Sequence, residues 1–161
     1  MIIDRYSIRP LIELTRTEQL MVLEWRNHSK VREWMYNTEI ISTASHFNFL
    51  ESLKNDTTNK YFLVQKEYQN IGVIYYNKIN TLDKSLYLGL YTNPLEQQKG
   101  NGHHLLRIAI DYAFNTLKTV CIKLEVLRHN TVAIHLYKKF NFKVIKEKHD
   151  ILHMELQHEN R

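Results

Sequence analysis

One cysteine in 161 residues, Cys121, has no partner for an internal disulfide, and no apolar run approaches the roughly 20 residues that span a bilayer. The opening MIIDRY lacks a basic stretch followed by an apolar core, so no secretory leader is expected. These absences favour a reducing cytoplasm. Linkers, repeats and low-complexity segments are missing too, which leaves a single domain, 1–161, as the expected organisation. Nor is charge of one sign gathered into a block. Lys and Arg number 22 against 17 Asp and Glu, a formal net charge of +5 spread along the chain. The surplus suits an anionic partner, whether nucleic acid, an acidic membrane or a phosphorylated small molecule, but its dispersal weakens the nucleic-acid reading. Neither nucleic acid nor membrane is expected as a partner. His149 and His153 have no carboxylate or cysteine cluster beside them, so no metal site is expected. Hydrophobic residues at 43% against 24% charged exclude wholesale disorder.

The pattern that is present alternates strands with helices. A strand near Ser7–Leu11 precedes a capping box, Thr15-Arg16-Thr17-Glu18, that opens a helix through Asn27 with Leu20, Leu23 and Glu24 beside Trp25 on its face. A second helix begins at Ser42 and turns Phe47, Leu50 and Leu53 inward. Tyr61–Lys66 and Ile71–Ile79 have hairpin spacing, and Leu86–Tyr91 gives a further strand that Asn93-Pro94 stops. A helix over 102–117, a strand at Cys121–Leu127, a helix at Asn130–Phe140 and strands at 142–148 and 151–156 follow. This order predicts a mixed sheet covered by helices, with a right-handed parallel crossover from Leu86 to Leu127.

Two segments carry chemistry. Gln97-Gln98-Lys99-Gly100-Asn101-Gly102 joins a strand to an apolar helix, where two glycines admit close approach and free amides at the helix start make an anion site. The spacing of a Walker loop is absent, and the run is too short for a dinucleotide fingerprint. His103 and His104 read as caps of that helix. Asn130–Phe142 places Ala133, Leu136, Tyr137 and Phe140 on one helical stripe, and the Tyr137 hydroxyl needs a partner or a task. On the residues alone a core tyrosine bonded to a carbonyl competes with a catalytic acid.

Q-x-x-G-x-G followed by N-x-x-A-I-x-L-Y-x-K-x-x-F resembles the GCN5-related N-acetyltransferase superfamily. The resemblance implies an α+β fold whose strongly twisted, mostly antiparallel mixed sheet has about seven strands and about four flanking helices, with two central parallel strands splayed at the cofactor site. It implies acetyl-CoA as cosubstrate, held by Leu90, Tyr91, Gln97, Gln98, Lys99, Gly100, Asn101, Gly102, His103, Asn130, Ala133 and Lys139. Tyr137 becomes the general acid toward the departing thiolate. Asn141 stands where the family usually has glycine, and Asn tolerates the left-handed conformation after a helix.

Further segments, W-R-N-H at Trp25, the helix with His46, K-Y-F-L at Lys60, I-G-V at Ile71 and G-L-Y at Gly89, resemble the acetyltransferases of pseudaminic acid biosynthesis. That resemblance implies a UDP-4-amino-sugar acceptor lined by Arg26, His46, Tyr75, Asn77, Lys78 and Tyr91, with Tyr75 contributing only its backbone. The chemistry agrees: Arg26 offers a planar fork and Lys78 a mobile charge for a diphosphate, and Tyr91 a stacking face. Glu125 is the candidate base, directly or through water, with a salt bridge to lysine as the alternative. Acetylation of a protein N-terminus and a non-catalytic basic binding module are the competing functions, and a homodimer is left open.

Overall fold

A computed structural model describes residues 1–96 and 98–161, so the expected role of Gln97 lies outside the described residues. The strands are β1 (Ile2–Ile3), β2 (Tyr6–Pro10), β3 (Lys60–Lys66), β4 (Gln69–Asn80), β5 (Ser85–Thr92), β6 (Cys121–Leu127), β7 (Lys143–Lys148) and β8 (Ile151–Gln157). The helices are α1 (Arg16–Asn27), α2 (Ser29–Arg32), α3 (Thr43–Leu53), α4 (Asn101–Asp111) and α5 (Thr131–Lys139). The eight strands form one sheet in the order β1-β2-β3-β4-β5-β6-β8-β7, antiparallel except for the β5–β6 pair. The strand and helix beyond the expected counts are the two shortest, β1 and α2, which no periodicity could reveal. No helix among the described residues is long and apolar enough to cross a membrane.

Local chemistry sets the helix starts. The Thr15 hydroxyl accepts from the Glu18 amide at 3.3 Å while Glu18 Oε2 accepts from the Thr15 amide at 2.9 Å, closing the capping box. Arg9 on β2 then donates to Glu18 at 2.6 Å, tying α1 to the sheet and holding that carboxyl below its usual range. The inward face of α1 is Val22, Leu23 and Trp25; Leu20, expected inside, is 40% exposed. α4 is shorter than the expected helix because a π-helical turn, Tyr112–Thr116, follows it.

Alternation along the strands divides the interior in two. Phe62, Val64, Ile74, Tyr76, Leu86, Leu88, Ile122 and Leu124 pack on one face with α4, where the Tyr76 hydroxyl donates to the Ala109 carbonyl at 2.8 Å. Leu63 and Val73 point to the other face, against Trp25 of α1 and Leu50 of α3. α4 comes so close at Gly72 that a Cβ there would lie 2.9 Å from Leu105 and 2.4 Å from the Tyr91 carbonyl.

The β5–β6 pair positions the site. Its register holds for three rungs, Ser85 with Cys121, Leu86 with Ile122 and Tyr87 with Lys123, and then stops. β5 continues to Thr92 and β6 to Leu127 without pairing each other, and the wedge between them is a cleft at the carboxyl ends of both strands.

Candidate active site

The cleft encloses about 620 Å³ and is lined by Leu88–Thr92 of β5, Glu125–Leu127 of β6, Asn130–Ala133, Leu136 and Tyr137 around α5, and Tyr75 and Asn77 of β4. The residues after α2, Trp34 to Tyr36, cross its mouth as a strap. α1 holds that strap. Asn27 accepts from the Ile41 amide at 2.8 Å and donates to its carbonyl at 2.9 Å, and Arg26 donates to the Asn37 carbonyl at 3.1 Å. The far side is fixed by the Tyr36 hydroxyl, which donates to Glu125 Oε2, and by Trp34, whose ring centroid stands 5.3 Å from that of His129.

Gly100 starts α4 with φ of +94°, a left-handed conformation that most side chains resist. Among the described residues the amides of Gly102 and His103 find no backbone acceptor, so the helix start keeps donors free for an anion. Gly102 is ordinary helix: a Cβ there would meet only Leu136, at 3.6 Å. His103 and His104 do not cap the helix, since Gly100 is its N-cap without a side-chain bond; His103 packs on Phe140 and His104 on Tyr6. Gln98 and Lys99 are exposed in the loop, and the buried Asn101 amide group donates to the Glu96 carbonyl at 3.4 Å. Asn130 caps α5 through the Ala133 amide. Lys139 is not at the cleft; it lines a separate depression with Arg107 and Arg161 behind α4, because α5 turns it outward.

The stripe on α5 is half-buried, not core, for it forms a wall of the cleft. Tyr137 packs with the α4-face core, and burial pushes its phenol up to about 12. Its hydroxyl meets no hydrogen-bond partner among the described residues, so the bonded-to-carbonyl alternative has no support in the geometry. Glu125 stands on the opposite face of the sheet. It is held by Tyr36 and by His153, whose Nδ1 lies 3.5 Å from Oε1, and not by the lysine that sequence spacing allowed.

The acceptor wall is aromatic. Tyr75 stacks on Tyr61 at 4.9 Å and 7°, Phe49 meets Tyr61 edge-on at 4.9 Å, and Tyr91 lies 6.5 Å from Tyr75. The Tyr75 ring fills the space of a missing side chain at Gly89, where a Cβ would come within 2.1 Å of it. The expectation that only the Tyr75 backbone matters is therefore corrected: its ring is a wall of the cleft. Burial raises the Tyr61, Tyr75 and Tyr91 phenols, and the nearby Arg26 guanidinium opposes that rise at all three. Arg26 Nη1 is itself buried with no hydrogen-bond partner among the described residues. Lys78 is exposed on the rim at a β-bulge, its Nζ 4.9 Å from the ring centre of Tyr87, which lines the cleft. His46 does not reach the cleft. Its Nε2 lies 2.9 Å from the Gln19 carbonyl, so it joins α3 to α1, and burial lowers its pKa.

Tyr36, Trp34, Tyr61 and His153 were missed from the sequence. The first two sit in an aperiodic segment, and His153 gains meaning only from its cross-strand pairing with Glu125. Among the described residues no group of three or more His, Cys, Asp or Glu side chains could hold a metal ion.

A cleft between diverging parallel strands, with free amides at a helix start and an unpartnered tyrosine, belongs to an acyl-transfer fold, and the chain is a member of the acetyltransferase (GNAT) family, whose model matches residues 17–142. It is 36% identical over 148 residues to acetyltransferase PseH of Campylobacter jejuni subsp. jejuni serotype O:23/36 (strain 81-176), covering 92% of this chain and 91% of that protein. The crystal structure of Campylobacter jejuni N-acetyltransferase PseH in complex with acetyl coenzyme A superposes with a TM-score of 0.79 at 29% identity, over 95% of this chain and 99% of that one. Spermidine N-acetyltransferase from Vibrio cholerae in complex with CoA and spermine gives a TM-score of 0.85 at 22% identity, over 98% of each chain, a likeness of fold.

Proposed function

We propose that this protein transfers acetyl from acetyl-CoA to the 4-amino group of a UDP-linked amino sugar, UDP-4-amino-4,6-dideoxy-N-acetyl-β-L-altrosamine, in pseudaminic acid biosynthesis. Relatives named PseH, one of them crystallised with acetyl coenzyme A, support that reading. The observation that carries it is the acceptor wall: among its described lining residues Glu125 is the single carboxylate, while Lys30 lines it and Arg26 Nη1 waits behind the tyrosines with no hydrogen-bond partner among the described residues. A polyamine would find one counter-charge there. An anionic nucleotide finds cations and aromatic faces.

The residues fit acetyl-CoA. The free amides after Gly100 would receive the pyrophosphate, and the unpaired edges of β5 and β6 would take the pantetheine arm. When bound, the thioester supplies an activated acetyl group for direct attack by an amine. Tyr137, kept protonated by its raised pKa, donates to the thiolate sulfur as it departs. Glu125, on the acceptor face, accepts the amine proton. Tyr75, Asn77 and Tyr91 hold the sugar, Lys78 meets the diphosphate from the rim, and Arg26 adds its positive charge from behind the tyrosines.

Incubation with acetyl-CoA and either this UDP-sugar, spermidine or an N-terminal peptide, followed by mass spectrometry, tests the reading. An added acetyl on the sugar is expected. UDP alone should raise the melting temperature, a linkage effect of about 2.7 kcal/mol at a hundredfold excess over Kd. Arg26→Ala should reduce that shift more than Arg26→Lys. Absence of both sugar acetylation and a UDP shift rejects the assignment.

A further inference from the structure

Glu125 can take a proton from an amine repeatedly only if the proton then leaves. One side of the carboxylate is closed: Oε2 accepts from the Tyr36 hydroxyl, a phenol that burial and Glu125 itself keep protonated, so it donates and has nowhere to put a second proton. The other oxygen, Oε1, faces His153 Nδ1 at 3.5 Å, within ion-pair distance. The two residues are Cα partners in the β6–β8 register, and His153 is in turn the partner of Lys146 on β7. Residues opposite one another share a face, so Glu125, His153 and Lys146 form a row from the cleft to the outer edge of the sheet. The side chains of Glu125 and His153 are 26% and 23% exposed, and every residue of β7 is exposed. The row therefore begins at the reaction centre and ends in water.

We propose that His153 is a positioning and proton-relay residue, which receives from Glu125 the proton removed from the acceptor amine and delivers it to solvent. This rests on the reading of Glu125 as base. The neutral imidazole carrying hydrogen on Nε2 presents its lone pair at Nδ1; it gains the proton there, Nε2–H is released to water, Glu125 returns to carboxylate, and exchange with solvent moves the remaining hydrogen from Nδ1 back to Nε2 before the next turnover. Nothing is oxidised; for each acetyl transferred one amine proton reaches solvent and solvent returns one to Tyr137, so the turnover is proton-neutral. The charged and titratable groups sharing that face are Lys123 and Glu125 from β6, Lys143, Lys146 and Lys148 from β7, Glu155 from β8, Tyr87 from β5 and Tyr36 from the strap.

The test compares wild type, Glu125→Gln, His153→Gln and His153→Ala with acetyl-CoA and the UDP-amino sugar. Glutamine at 153 can still donate to Glu125 but cannot relay, so His153→Gln should lower kcat by about 10²-fold, the low end for a general acid–base partner, with KM and melting temperature unchanged. Added imidazole should restore turnover to His153→Ala in a saturable way and leave Glu125→Gln unmoved. Wild-type kcat and pH profile in His153→Gln overturn the relay, as does an imidazole-insensitive loss in His153→Ala. Inactive Glu125→Gln beside fully active His153→Gln sinks this inference alone; fully active Glu125→Gln sinks the base assignment and the relay together.

Discussion

On the α4 side of the cleft the working parts are main chain: a left-handed Gly100, two unclaimed amides, and two strand edges that part after three rungs. On the strap side they are side chains: Arg26 against three tyrosines, Tyr75 lying across Gly89, and Glu125 held by Tyr36 and His153. A backbone-built site is tolerant of side-chain identity and intolerant of altered torsions. A side-chain-built site is the reverse. The first kind suits a cosubstrate that must always be bound in the same way, and the second an acceptor whose identity a few substitutions could change.

Substitutions can break that contrast. Tyr137→Phe should have the largest effect, because it removes a side-chain function from the backbone-built side: kcat falls by about 10²–10⁴, while calorimetric affinity for acetyl-CoA and the melting temperature hold. Gly89→Ala comes next, since the added carbon collides with the Tyr75 ring; stability and turnover should both drop, and Tyr75→Ala in the same chain should recover stability in a double-mutant cycle. Gly100→Val forces a branched residue into φ of +94°, a strain of about 1–3 kcal/mol that should appear as weaker acetyl-CoA binding by calorimetry. Gly102→Ala, with only a 3.6 Å contact to Leu136 to make, should bind nearly as wild type.

The smallest effect belongs to a residue outside both sides. Burial holds the His46 imidazole below its ordinary 6.5, so the unfolded chain takes up the proton first as pH falls. Its contribution to stability is fully present above that value and is lost on acidification below it. Urea unfolding followed between about pH 5 and pH 8, the histidine range, should show that acid-side slope, flattened in His46→Gln.

The same contrast explains what could be read from the sequence. The capping box at Thr15 and β6 at Cys121–Leu127 fell where periodicity put them, and Asn141 takes the expected left-handed turn with φ of 67°. The glycine loop was legible because turn chemistry is local. Arg26 was legible as a cation, but its partners depend on how α1 and the aperiodic segment after α2 fold back on each other, a tertiary matter. His46 misled because its helical position was right and its direction unknown: it points to the Gln19 carbonyl, away from the cleft. His153 carried no local signal, for its meaning lies in register with a strand many residues away.

The three-rung junction of β5 and β6 also governs assembly. Every other strand pairing is antiparallel, so the β3-β4-β5 meander on one side of the junction and the β7–β8 hairpin on the other can form from local contacts. The parallel junction must wait for the whole α4 crossover to close, as β2–β3 must wait for the excursion through α1 and α3, each at the entropic cost of its loop. Folding is thus expected to complete at the seam where the cleft opens, and native-state hydrogen exchange should find the amides of Cys121–Lys123 opening at lower free energy than those of β3 and β4. A nascent chain would possess both arms of the molecule before it possessed an active site.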